Sequence, residues 1–149
     1  MSIGQPLARY AAARRAGDFV FLSGVIAVDP VAGVIERYEQ LPDAARASLR
    51  SIGLDTGQLS VDVFEAPIAA QSWIVLDRIH RIAQEHGSDL RSVVRLVQYF
   101  RDLRDYALYN RVRGLFFPEP VVSTVVEVSR MLPADTVRLE VEATLYLGS

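Results

Sequence analysis

The chain has 149 residues, half of them apolar and 23% charged, a size at which one folded domain buries about two-thirds of its unfolded surface. Sixteen basic against eighteen acidic residues leave a formal charge of −2, so there is no basic field to hold a phosphate backbone and nucleic acid is not an expected partner. The absence of cysteine excludes a disulfide framework, a thiol nucleophile and thiolate metal ligation, and it fits a reducing, cytoplasmic home.

Residues 1 to 18 alternate alanine with arginine and hold no signal-peptide core, and no later stretch reaches about 18 uninterrupted apolar residues, so no membrane span is expected. Tyr10 to Val28 (YAAARRAGDFVFLSGVIAV) reads as a hairpin turning at Ala16-Gly17-Asp18. In Phe19 to Val28 both side-chain parities are apolar, Phe19, Phe21 and Val25 against Val20, Leu22 and Ile26. A strand of that kind is covered on both faces, which a lone small domain rarely manages, so an oligomer is implied. Residues 36 to 65 hold a candidate short helix at Leu41 to Ile52 and then LDTGQLSVDVF, which reads either as an edge strand or as a flap.

From Ala66 to His86 the apolar positions Ile68, Val75, Leu76, Ile79, Ile82 and Ala83 recur at helical spacing, with Gly87 placed as a C-cap. Ser92 to Phe100 (SVVRLVQYF) is β-branched and aromatic, hence a strand, and Asp102 is placed to cap a second helix running to Pro118. Two more strands follow, Val121 to Ser129 and Thr136 to Leu147. The last alternates Val137, Leu139, Val141, Ala143 and Leu145 with Arg138, Glu140, Glu142, Thr144 and Tyr146. The element order is ββαβαββ, an α+β domain.

Tyr10, the run GDFVFLSG, Asp29-Pro30 with Gly33, Gln71, YFRD, Asn110, FF and EVSRMLP together resemble, in order and spacing, the signature of the RidA (YjgF) family of enamine/imine deaminases. The resemblance covers residues 1–149 as a single domain, except for an insertion at about 36–65. It implies a chorismate-mutase-like fold: a mixed sheet with two helices on one face, and three subunits closing a trimeric barrel around intersubunit clefts. Site residues carried over at matching positions are Tyr10, Ser23, Gly24, Asn110 and Glu140. The arginine with which the family grips its substrate falls at Ser123, and a small or cysteine position falls at Val125; both depart from the pattern.

Imine hydrolysis adds water to the C=N carbon, so it needs a carboxylate to orient that water and shuttle protons. The resemblance gives this role to Glu140, substrate positioning to Ser23 and Gly24, and an aromatic wall to Tyr10. No metal or organic cofactor is expected. His80 and His86 lie six apart on one helix, which is not a same-face ligand spacing, and read as surface or packing residues. A serine cannot replace the two charge-assisted bonds of a guanidinium fork, so simple 2-imino acids are expected to bind poorly. Arg113, three residues after Asn110 and on the same helical face, is the candidate replacement; Arg111 points away, and Arg37, Arg46 and Arg50 of the insertion are further candidates.

Each residue also has a plainer reading. Without the resemblance Glu140 is a solvated carboxylate, Arg113 an exposed helix charge, Asn110 a backbone tether, Ser23-Gly24 a strand-end constraint, and Tyr10 and Trp73 core, Trp73 packing against the insertion. Two functions follow: a hydrolase releasing ammonia from an atypical enamine or imine, such as an aminomuconate-type intermediate, or a non-catalytic trimeric small-molecule-binding module. A ribonuclease fits worst, because the charge is negative and no histidine pair is placed for phosphodiester cleavage.

Overall fold

A computed structural model describes residues 9–54 and 67–148. Strands β1 (Ala13–Ala16) and β2 (Phe19–Leu22) form the expected hairpin, and Gly17 at its turn has φ 62°, a conformation that favours glycine. Strands β3 (Val28–Asp29) and β4 (Gly33–Val34) make a separate ribbon, followed by helix α1 (Asp43–Ser51). Helix α2 (Pro67–Glu85), β5 (Val93–Phe100), helix α3 (Tyr106–Phe116), β6 (Ser123–Glu127) and β7 (Leu139–Tyr146) complete the chain.

The five-stranded sheet runs β1-β2-β7-β5-β6, with β5 and β6 parallel and every other pair antiparallel. The parallel pair is spanned by α3, as a crossover requires. β7 sits at the centre and buries Leu139, Val141, Ala143 and Leu145 beneath the helices, the face its alternation predicts. α2 supplies most of the covering layer: Ile68, Ile74, Val75, Leu76 and Ile79 are all at most 2% exposed. It ends at Gly87, φ 73°, where Ser88 N–H returns to the Ala83 carbonyl.

Two expectations are corrected. Phe19 to Val28 is not one strand: it leaves the ladder after Leu22, touches it again where Val25 pairs with Val141, and continues into β3. Between the pairs Phe21–Thr144 and Val25–Val141 the first strand spends four residues where β7 spends three. That extra residue is a β-bulge at Ser23-Gly24, and it breaks the alternation. Asp102 does not cap the α-helix; it accepts from Arg104 N–H at 2.9 Å to start a 3-10 turn at Leu103–Asp105, and α3 begins at Tyr106. The candidate short helix at Leu41 to Ile52 is present as α1, which adds Ala45 and Leu49 to the core. Trp73 packs edge-on against Phe116 of α3, ring centroids 5.8 Å apart, in the same core cluster as Ala45 and Leu49 of α1. The candidate flap in LDTGQLSVDVF falls almost wholly outside the described residues.

Candidate functional site

Glu140 stands on the sheet face away from the helices, paired across the ladder with Tyr99. The bulge at Ser23-Gly24 lies directly against it. A Cβ on Gly24 would fall 2.7 Å from both Cδ and Oε1 of Glu140, so only glycine leaves the carboxyl its seat. Half-burial raises the Glu140 pKa, with a smaller push from Glu142, whose own carboxylate accepts from the Tyr99 hydroxyl. Ser23 is held by its hydroxyl donating to the Ala11 carbonyl at 2.6 Å and its N–H to Ala12 at 3.0 Å. Tyr10, just before this segment, is 45% exposed.

Ser123 opens β6 and pairs with Leu96, so it belongs to the helix-side face together with Gln98. Glu140 and Ser123 therefore occupy opposite faces of one sheet. Around Ser123 the polar groups converge. Arg113 Nη1 donates to Gln98 Oε1 at 2.7 Å and to Ser123 Oγ at 3.1 Å, while Nη2 donates to Asn110 Oδ1 at 2.8 Å and to the Tyr106 hydroxyl at 3.4 Å. Gln98 Nε2 donates to Ser123 Oγ at 2.7 Å and to the Thr124 carbonyl at 3.0 Å, and the Tyr109 hydroxyl donates to Gln98 Oε1 at 2.5 Å. The guanidinium carbon lies 5.6 Å from the Tyr109 ring centroid, within cation–π reach.

Arg113 is thus no free helix charge, and Asn110 tethers a guanidinium rather than backbone. Three of the other arginines have partners elsewhere: Arg111 donates to the Ile52 carbonyl, Arg46 to Asp43, and Arg37 lies 4.0 Å from Glu39. Arg50 has no ion pair among those between described residues. Val125 is half-buried beside Gln98 on β6. Sequence reasoning missed Gln98 and Tyr109, both fully buried, with burial pushing the Tyr109 phenol up. Gln98 shares the buried parity of Leu96 and Phe100, and a polar residue on that parity was the available signal.

A cavity of about 550 Å³ opens beside this cluster, lined by His80, Leu90, Phe116, Phe117 and Val121, among others. It shares no residue with the candidate set. His86 uses Nδ1 against the Ile82 carbonyl at 2.9 Å. Among the described residues no group of three or more His, Cys, Asp or Glu could hold a metal ion, and no helix is long and apolar enough to cross a membrane.

A sequence model of the family described as Endoribonuclease L-PSP, the YjgF/RidA family, matches residues 51–147. The chain belongs to the YjgF/RidA family. It is 31% identical over 143 residues to a RutC family protein of Pyrococcus abyssi, covering 95% of this chain and 89% of that one. It is 30% identical to the 2-iminobutanoate/2-iminopropanoate deaminase of Escherichia coli, covering 82% of this chain and 96% of the relative. A solved structure from Klebsiella pneumoniae superposes with a TM-score of 0.83 at 49% identity, over 93% of this chain and all of that one. The YjgF/RidA fold accounts for the mixed sheet with its covering helices.

Proposed function

We propose that the chain hydrolyses an enamine or imine and releases ammonia, with Glu140 as the acid–base group. The half-buried Glu140 carboxyl, seated on the glycine of a bulge, is the observation that carries this reading. In the reaction water adds its oxygen to the C=N carbon, the nitrogen takes a proton, and the C–N bond then breaks to leave a carbonyl and ammonia. A carboxylate receives the proton of the attacking water and returns it to the departing nitrogen, and a pKa raised by burial favours such a shuttle. Relatives at about 30% identity named as 2-iminobutanoate/2-iminopropanoate deaminases support the reaction class.

The site is completed between copies of the chain in a homotrimer, on this reading. Glu140, Ser23, Gly24 and Tyr10 form one half; Ser123, Val125, Asn110 and Arg113 form the other, on the opposite sheet face. Phe19, Phe21 and Tyr146 stand exposed on the Glu140 face, ring centroids of Phe19 and Tyr146 5.2 Å apart, an apolar surface suited to a second subunit. Arg113, reaching Ser123 Oγ, gives the substrate end of the cleft a positive charge without a free guanidinium fork.

The test is ammonia release from freshly generated 2-iminopropanoate, and from an aminomuconate analogue, by wild type, Glu140→Ala and Ser123→Arg. Turnover that Glu140→Ala abolishes supports the hydrolase. Absence of turnover on either substrate by wild type and Ser123→Arg alike refutes it and favours a non-catalytic binding module.

A further inference from the structure

We propose that the Ser123 hydroxyl is a ligand contact of fixed polarity, a donor to one oxygen of the substrate. The site accordingly takes imines that carry any carbonyl oxygen there, amide or ester as well as acid. This rests on the imine-hydrolase reading and narrows its substrate class.

The polarity follows from which groups can only donate and which can only accept. A guanidinium has no acceptor, so the Gln98 atom facing Arg113 is the amide oxygen; the Thr124 carbonyl has no donor, so the atom facing it is the amide nitrogen. The orientation of the buried Gln98 amide is therefore forced from both sides. Its NH2 and Arg113 Nη1 both donate to Ser123 Oγ, at 2.7 and 3.1 Å, and these two bonds use the two lone pairs of the hydroxyl. Among the described residues no acceptor receives the Ser123 proton. Ser123 is exposed, so that proton is offered outward.

The same count limits Arg113. Four of its five N–H groups point at Gln98, Ser123, Asn110 and Tyr106, and none of these partners is a carboxylate. It cannot offer a fork to a ligand without surrendering bonds it already makes. Its charge acts from behind the serine, where a solvent-exposed pair is worth at most about fivefold in affinity. A direct fork supplies two charged hydrogen bonds and would favour acid over amide by roughly a hundredfold or more.

The experiment measures binding of 2-oxobutanoate and of 2-oxobutanamide, neither of which can be deaminated, by calorimetry or protein NMR. Wild type is expected to bind the two within about tenfold of each other. Ser123→Ala should weaken both by about 3- to 10-fold, the value of one hydrogen bond, and Ser123→Thr should restore them. Gln98→Glu puts an acceptor where the amide donated, turns the Ser123 proton inward, and should weaken both as Ser123→Ala does. Ser123→Arg should create the hundredfold acid preference. Unchanged binding in Ser123→Ala, a hundredfold acid preference in wild type, or no binding of either probe by wild type would overturn the proposal. Ammonia release unaffected by Ser123→Ala sinks this inference alone; probe binding that needs the Ser123 hydroxyl, without ammonia release from any imine, sinks the hydrolase reading alone.

Discussion

Replacing Gly24 by alanine should separate stability from activity. The added methyl carbon would stand 2.7 Å from Cδ and Oε1 of Glu140 and 2.9 Å from Cγ, against about 3.5–4.0 Å for unstrained carbon contacts. The carboxyl must withdraw by roughly 1 Å, and it can, because it is the end of a flexible side chain; a rotation of that size costs about 0.5–1.5 kcal/mol. The midpoint of thermal unfolding should therefore fall by only a few degrees, at about 2–4 °C per kcal/mol for a chain of this size. On the proposed reaction, ammonia release depends on where the carboxylate sits, and a displacement of about 1 Å should cost on the order of a hundredfold. Calorimetry and a coupled ammonia assay would measure the two quantities on one preparation. If the methyl acts through Glu140, Gly24→Ala should cost almost no stability in a Glu140→Ala background. Full activity in Gly24→Ala, or an equal stability loss in both backgrounds, would refute the reasoning.

Gln71, fully buried in α2, joins the Thr136 carbonyl and the Arg138 N–H, both at 2.8 Å. Gln71→Leu strands those groups and should cost about 1–3 kcal/mol, read as a lower denaturation midpoint in urea. Burial raises the Glu140 pKa in the folded protein, so its contribution to stability is fully present below the ordinary glutamate pKa and is lost as pH rises through the raised value. Glu140→Gln should consequently stabilise the fold at neutral pH, with the difference vanishing in acid; a difference that grows in acid would contradict the assignment. Phe21→Glu, at a side chain 51% exposed in the single chain, should give a smaller species by light scattering with an unchanged far-UV spectrum, and an unchanged mass would remove this face from the interface.

Much of the architecture was legible because its signals are local. The hairpin, α2 and β7 each rest on a turn residue, a helical period or an alternation that neighbouring residues state by themselves. The bulge was hidden because both parities of Phe19 to Val28 are apolar, so a slip of one residue leaves the hydrophobic pattern intact. Arg113 could be placed near Asn110 from helical spacing, but its contact with Ser123 depends on how α3 lies over the β5–β6 pair, which no local pattern encodes. Gln98 read as one more residue of a strand, and only the packing reveals that four polar groups meet on it. Asp102 carried a helix-cap signature that the chain spends on a 3-10 turn instead, since the same side-chain bond starts either kind of turn.

The bulge also fixes a trade between robustness and reactivity. Deleting one residue between Leu22 and Val25 would bring the two strands back into phase, lengthen the central pairing and relieve the crowding of an acidic group against backbone. The result would be a sturdier sheet with no seat for its carboxylate, so selection for heat resistance alone would erode this segment first.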